Sequence, residues 1–192
     1  MRPKRTNIMK LSILICTIPN RVGSYLPKLI KEVNDQCVDG VQLLYAGDNK
    51  TMSVGEKRNW LLAMAKGEYV VFVDDDDWID KNYINEILTG IKSGADVICF
   101  KVLCKVERKR PKEVVYDIRF KRDRNLPQRY ERIPNHIMCI KRDLARQVGF
   151  KNRNFGEDAD FAKRLKPLLK TQCVIDKVLY YYTFSHKISE TQ

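Results

Sequence analysis

The first hundred residues alternate short continuous apolar runs with stretches whose apolar positions recur every three or four residues. Leu11 to Ile18, Val41 to Ala46, Glu68 to Val73 and Ala95 to Val102 are runs of the first kind, mostly flanked by Pro, Gly or Asp, and each predicts a buried strand. Between the first two, Leu26, Leu29, Ile30 and Val33 fall on one helical face. Trp60, Leu61, Met64 and Ala65 predict a second helix, stopped by Gly67, and Ile84, Ile87, Leu88 and Ile91 a third, capped by Asp80. Strand and helix in alternation imply right-handed crossovers, hence an α/β fold with a mainly parallel central sheet and helices on both faces. Such sheets bind ligands beyond the carboxyl ends of their strands. Three polar clusters fall there: "TIPNR", "GDNKT" and "DDDDW".

The second half is less regular. Residues 104 to 133 are basic and polar with interspersed Val, Tyr and Phe, which predicts a surface excursion or hairpin. "HIMCIKRDLARQVGF" predicts a strand running into a short helix. "GEDADFAKRLKPLL" predicts a helix with Phe161, Leu165 and Leu168 or Leu169 on one face, kinked or ended by Pro167. "CVIDKVLYYYTF" is rich in β-formers. The segments expected are a basic leader (1–10), an α/β half (11–100), a basic insertion (101–133) and a second half (134–192), all in the single domain that 192 residues suit.

Composition excludes wholesale disorder, since 44% of the residues are apolar. The net charge of +12 is regional: residues 101 to 132 hold twelve Lys or Arg against five acids, and residues 1 to 10 hold four against none. Charge confined to one region reads as a surface for an anionic partner. The six cysteines form no C-x-x-C pair and no zinc-like spacing, which suits reduced thiols in a cytoplasmic protein. "MRPKR" before "LSILICTI" imitates a signal peptide, but the apolar run is short, has no small-residue cleavage site and meets Pro-Asn-Arg, so a strand is expected instead. Met9 is an alternative start. No transmembrane segment is expected.

Along a strand side chains alternate, so Asp74 and Asp76 are expected on one side and Asp75 and Asp77 on the other. Two carboxylates at a sheet mouth form half of a hard-cation site, the remainder coming from water and substrate phosphates. Helix capping alone would ask for fewer acids. Gly156-Glu157-Asp158 opens a helix, where acids are commonplace. Beside the aspartate run the same residues gain a second meaning: a carboxylate that deprotonates an incoming hydroxyl while a metal-bound diphosphate departs.

Taken in order, "LSILICTIPNR", "VQLLYAGDNK", "GEKRNWLLAMAKGEYVVFVDDDDW" and "NFGEDADFAKRL" resemble the nucleotide-sugar glycosyltransferases of family 2, with the single, Rossmann-like GT-A domain. The similarity runs from residue 11 to about 184, is thinnest over 101–132, and extends to compact members carried by bacteriophages. It implies a metal-dependent, inverting transfer of a sugar from a nucleotide diphosphate, a UDP-sugar by preference, with Mn2+ or Mg2+ as cofactor. Thr17 and Pro19 match the loop around the base, Asp48 the acid that contacts uridine, and Arg58 with Asn59 the donor-site helix; Arg21 and Asp75 complete the donor set. Asp74 and Asp76 match the DxD pair that meets ribose and metal. Asp158 matches the catalytic base, with Glu157 beside it. Two positions depart from the pattern: Pro19 stands where the family usually has Tyr, and Gly47 precedes Asp48 in place of a second Asp.

His186 stands where some GT-A enzymes place a third metal ligand, with a frayed terminal histidine as the alternative. His136, Arg119, Arg122 and Arg129 are candidates for the acceptor side, His136 equally for a structural hydrogen bond. Positive charge interleaved with Tyr116, Phe120 and Tyr130 suits nucleic acid. Hydroxymethylated bases in DNA therefore stand as one acceptor class and a surface polysaccharide or lipid-linked glycan as another. A non-catalytic polyanion binder on a degenerate transferase scaffold is the reading from a different class. A nucleotidyltransferase would want a glycine-rich phosphate loop, which "CTIPNR" lacks. The host cytoplasm is the expected location were the chain phage-encoded.

Overall fold

The apolar runs form strands because neither face carries a side chain that must stay wet. β1 (Leu11–Thr17) is buried almost throughout and pairs in parallel with β2 (Val41–Gly47) on one side and β3 (Tyr69–Phe72) on the other. The structure, a computed structural model, describes residues 8–106 and 109–184, so most of the basic leader and His186 lie outside it. α1 (Pro19–Val22) is one short turn, and α2 (Leu26–Gln36) buries Leu26, Leu29 and Val33 as its spacing predicts. Each such side chain contributes about 1.5–3 kcal/mol by leaving water.

α3 (Val54–Met64) starts at a capping box, in which Ser53 Oγ accepts from the Glu56 N–H and Glu56 accepts from the Ser53 N–H. Its buried face is not the predicted one. Trp60 and Met64 are half exposed, at 52% and 49%, while Lys57, Arg58, Leu61 and Leu62 are buried. The helix is rotated to send two cations inward. α4 (Tyr83–Ile91) buries Tyr83, Ile84, Ile87 and Ile91. Its cap position is Asn82, not Asp80; the Asp80 carboxylate accepts from the Asn82 N–H at 2.9 Å and shapes the turn before the helix.

Beyond β3 the sheet departs from a simple parallel succession. β5 (Val97–Val106) does not pair with β3, because β9 (Cys139–Lys141) lies between them, antiparallel to both. The far edge of β5 carries β10 (Gln172–Phe184) in parallel, and β10 also pairs with the short β4 (Trp78–Ile79) just after the aspartates. The expected excursion over 104–133 is instead part of the same sheet. β6 (Lys112–Tyr116) runs antiparallel to β5, β8 (Arg129–Arg132) parallel to β6, and β7 (Arg124–Asn125) closes the edge. The boundary expected at residue 100 falls inside β5.

α5 (Arg142–Val148) and α6 (Glu157–Leu165) complete the chain, and α6 gives way at Pro167 to a single 3-10 turn. Gly55, in the first turn of α3, has the loop from α5 to α6 so close that a Cβ there would meet the Lys151 carbonyl oxygen at 1.9 Å. All six thiols are free. No helix among the described residues is long and apolar enough to cross a membrane.

Asp96 ties together the starts of β5 and β10 and the end of β9. Its carboxylate pairs with Lys141 Nζ at 2.9 Å and accepts from the N–H groups of Lys170 and Thr171 at 2.9 and 3.0 Å. Burial opposes its charge, but Lys141 and the two N–H donors outweigh it and hold the carboxyl at about 2. A carboxyl lowered by folding stabilises the protein above its unfolded value, near 4, and that contribution fades as the pH falls toward 2. Asp96→Asn is therefore expected to lower the urea midpoint at pH 7 and to converge on the wild type at acid pH. An equal gap at both ends of the titration would remove this role.

Candidate active site

The parallel register brings three strand ends to one edge of the sheet: Thr17 lies opposite Gly47, and Leu14 opposite Phe72. From that edge residues 74–77 leave as a turn, closed by the Asp77 N–H donating to the Asp74 carbonyl at 3.1 Å, and not as the continued strand that alternation assumed. Two side chains nevertheless stay partly open and two are buried, though Asp75 and Asp77 still contribute to the walls of the hollows. The Asp74 and Asp76 side chains are 30% and 20% exposed, whereas Asp75 and Asp77 are buried.

Each aspartate has its own partners, which is how four like charges fit in one turn. Asp75 accepts from Thr17 Oγ1 at 2.6 Å and pairs with Arg21 Nη1 at 2.6 Å. Arg21 Nη2 lies 2.9 Å from Asp76. Asp77 accepts from the Tyr180 hydroxyl at 2.7 Å and the Thr183 N–H at 3.1 Å, and burial together with Asp74 pushes its carboxyl well above the usual range. Asp74 meets Arg58 Nη2 at 3.0 Å and His136 Nε2 at 3.5 Å. Its recessed position would raise its carboxyl, but His136 and Arg58 reverse that and hold it below the usual carboxylate range.

Arg58 joins the two acidic motifs. Its guanidinium is buried, with Nη1 3.1 Å from Glu157 and its centre 5.6 and 5.4 Å from the rings of Phe72 and Phe150. Asn59 does not line the cleft. Its side chain both donates to and accepts from the Phe150 backbone, at 2.7 and 2.8 Å, and so fixes the loop that leads into α6. Gly156, in the left-handed region at φ +67°, starts α6 and separates the roles of its neighbours. Glu157 is buried against Arg58, its carboxyl raised by burial, whereas Asp158 reaches a different cavity. Glu157, expected beside Asp158 at the chemistry, is thus a partner of Arg58.

Three hollows follow the sheet edge. The first, about 430 Å3, is lined by Thr17, Pro19, Leu26, Tyr45 and Asp48. The Met52 and Thr51 N–H groups, both at 2.6 Å, and Lys57 Nζ at 3.0 Å hold the Asp48 carboxyl below the usual range against its burial. The second, about 160 Å3, is lined by Arg21, Asp74, Asp76, Asn154, Glu157 and Tyr182. The third, about 270 Å3, takes in Asp74, Tyr116, Tyr130, His136 and Asp158, and Tyr182 borders it too. The sequence reading missed Lys57, which is buried and also donates to the Thr17 carbonyl at 3.3 Å, and Tyr182, which looked like one more strand residue.

Of the acceptor-side candidates only His136 reaches the cleft. Arg119 is bound to Asp117 at 2.6 Å, Arg129 to the buried Glu131 at 2.6 Å, and Arg122 is exposed on a turn away from Asp158.

The donor set fits a divalent cation. Among the described residues no three His, Cys, Asp or Glu side chains converge as a complete cage, but magnesium and manganese commonly take one or two carboxylates and fill the rest with water and phosphate oxygens. Asp74 and Asp76 border one hollow. Burial, with Asp74 and Asp75 adding against the pull of Arg21, raises the Asp76 carboxyl to about 6, the signature of a site short of positive charge.

Arg58→Met keeps most of the buried stem but leaves Asp74 and Glu157 without their shared cation, and breaking a buried pair in this way costs about 3–5 kcal/mol. A marked drop in the urea midpoint is expected, with Arg58→Lys recovering only part because one ammonium does not reach both carboxylates. A Met variant as stable as the wild type would overturn the bridging role.

Known proteins agree with this geometry. S. aureus TarS 1-349 in complex with UDP-GlcNAc superposes with a TM-score of 0.70 at 20% identity, over 93% of this chain and 59% of that one. The same fragment in complex with UDP gives 0.68 at 21%, over 92% and 61%. The chain thus spans about three fifths of the TarS fragment, and at this identity the likeness establishes a shared fold. No curated protein sequence matches the chain. Residues 48–149, more than half of the sequence and inclusive of the DDDD turn, match the family model for glycosyl transferase family 2, and it is to that family that the chain belongs.

Proposed function

We propose that the chain transfers a glycosyl group, with inversion, from a nucleotide diphosphate sugar to a hydroxyl acceptor. The observation that carries this reading is that Asp158 and Asp74 border one cavity, while Asp74 and Asp76 border the adjoining one. A carboxylate for the acceptor proton and carboxylates for the leaving-group side are then neighbours across a single residue.

The hollow lined by Thr17, Pro19, Tyr45 and Asp48 has the shape and edge polarity for a nucleobase. UDP is the favoured nucleotide, because the TarS fragments that share the fold are described with UDP and UDP-GlcNAc. Asp76 and Asp74 would hold Mn2+ or Mg2+, which when bound supplies charge neutralisation for the departing diphosphate. The chain's own residues do the rest. Arg58 and His136 keep Asp74 ionised and aimed, and Arg21 fixes the turn. Asp158 takes the proton from the acceptor hydroxyl; its oxygen bonds to the anomeric carbon as the carbon–diphosphate bond breaks and the electron pair leaves with the nucleotide.

Hydroxymethylated bases in DNA are a second reading of the acceptor, favoured by the regional charge of residues 101–132. That reading predicts affinity falling linearly in log salt. The experiment incubates the protein with Mn2+ and UDP-sugars, with and without such DNA, and follows released UDP and the mass of the DNA. Asp158→Asn is expected to lower transfer about 10²–10⁴-fold, the usual worth of a general base, with UDP affinity nearly unchanged. Near-normal transfer in that variant would end the assignment.

A further inference from the structure

The far wall of the Asp158 cavity is built by the segment that the charge pattern marks for a polyanion. Tyr116 ends β6, Tyr130 and Arg132 stand on β8, and Tyr182 reaches in from β10. The arm is basic in composition but not in what it offers a ligand. Among the described residues Arg132 is the only Lys or Arg lining the cavity, and both of its Nη atoms already donate. Nη1 donates to the carbonyls of Arg124 and Glu131 at 3.0 and 2.9 Å, and Nη2 donates to Asn125 Oδ1 at 2.7 Å. Glu131, buried at the centre of the arm, draws Arg124 and Arg129 to itself, and Asp117 draws Arg119. The same cavity presents the carboxyl groups of Asp74, Asp77 and Asp158. Among the described lining residues, a phosphodiester backbone entering here meets acids and one arginine whose Nη atoms are already hydrogen-bonded.

The space is also small. At about 270 Å3 it sits at the lower end of small-molecule sites, and three tyrosines line it, Tyr130 with Lys112 and Arg132 packed 5.1 and 5.2 Å from its ring centre. A pyranose ring suits this lining, with C–H groups on its faces and hydroxyls at its edge. We infer that this cavity receives one uncharged sugar ring as acceptor and presents a ring hydroxyl to Asp158, with Tyr182 and Tyr130 as the residues that set acceptor specificity. The inference rests on the transferase reading of the same site and narrows its substrate class. Tyr182 borders both this cavity and the one beside the carboxylate turn, so it stands where acceptor and donor sugars meet.

The test uses the full chain and keeps binding apart from turnover. Ligand-observed NMR with a panel of uncharged methyl hexopyranosides, and with a hydroxymethylcytosine oligonucleotide, reads acceptor binding; calorimetry with UDP and Mn2+ reads the donor side. At least one glycoside is expected to bind and to be glycosylated. Tyr182→Ala and Tyr130→Ala should weaken that binding about tenfold, with Tyr182→Phe restoring part of it and UDP affinity preserved in Tyr130→Ala, because Tyr130 does not border the hollow beside the carboxylate turn. Tyr182 is 37% exposed, so its variants should fold. Binding of the oligonucleotide but of no glycoside overturns the inference, as does glycoside binding indifferent to both tyrosines. Tyrosine-dependent glycoside binding with no transfer from any donor would remove the transferase reading and leave the sugar-ring assignment standing.

Discussion

The buried guanidinium of Arg58 is the constraint on which the cleft depends. It stands between Asp74, at the end of the strand β3 run, and Glu157, at the start of α6, two segments more than eighty residues apart in the chain. Burying such a group costs several kcal/mol unless its charge and donors are answered. Here two carboxylates and two aromatic faces answer its charge, while Nε and Nη1 are buried without a hydrogen-bond partner among the described residues. Because both acids pay for the same cation, neither can move without the other. The separation between the carboxylate turn and Asp158 is therefore a property of one side chain, seated on a helix that its capping box and Asn59 hold in register with the loop before α6.

The same logic explains how a strongly basic chain tolerates four adjacent aspartates. Adjacent carboxylates repel by about 1–4 kcal/mol at surface-like dielectrics, and a turn alone would not remove that cost. Arg21 answers Asp75 and Asp76, Arg58 and His136 answer Asp74, and Tyr180 answers Asp77, and these partners come from α1, α3, the loop before β9 and β10. The run is thus a junction of distant elements. Asp76 is the partly open member of the run whose carboxyl burial raises to about 6 even with Arg21 beside it. The basic arm follows the complementary rule, since Glu131 and Asp117 consume much of its charge internally.

These particulars mark what was legible in the sequence. β1, β3, β5, α2 and α4 were legible because their burial follows local periodicity; β2 is a strand as expected but lies half open, with Tyr45 exposed, and not buried; the three polar clusters at strand ends followed from the sheet type alone. The face of α3 was misread because Lys57 and Arg58, polar by composition, take interior positions while Trp60 and Met64 face solvent. β9 was legible as a strand, but its place between β3 and β5 was not, since its register is set by pairing Ile140 with Val70 and Val97, far away in the chain. The role of Asn59 was misassigned for a related reason: its partner is backbone, and any residue type presents the same carbonyl and N–H. Composition could not show which cations of the basic arm Glu131 and Asp117 already hold.

The last strand shows how a regular element turns these local facts into a site. Side chains two apart along β10 share a side. The Tyr180 hydroxyl accepts from the Asp74 N–H at 3.0 Å and donates to Asp77, so it fixes the carboxylate turn from below. Tyr182, two residues on, borders both the hollow beside that turn and the cavity of Asp158. The parallel pairing of β10 with β5 sets the height of both tyrosines at once. The arm that walls the Asp158 cavity hangs from β5 as well, through β6. A single long strand therefore carries the support of the turn on one edge and, through β5, the wall of the Asp158 cavity on the other, and the spacing between the carboxylate turn and that cavity is fixed by backbone hydrogen bonds.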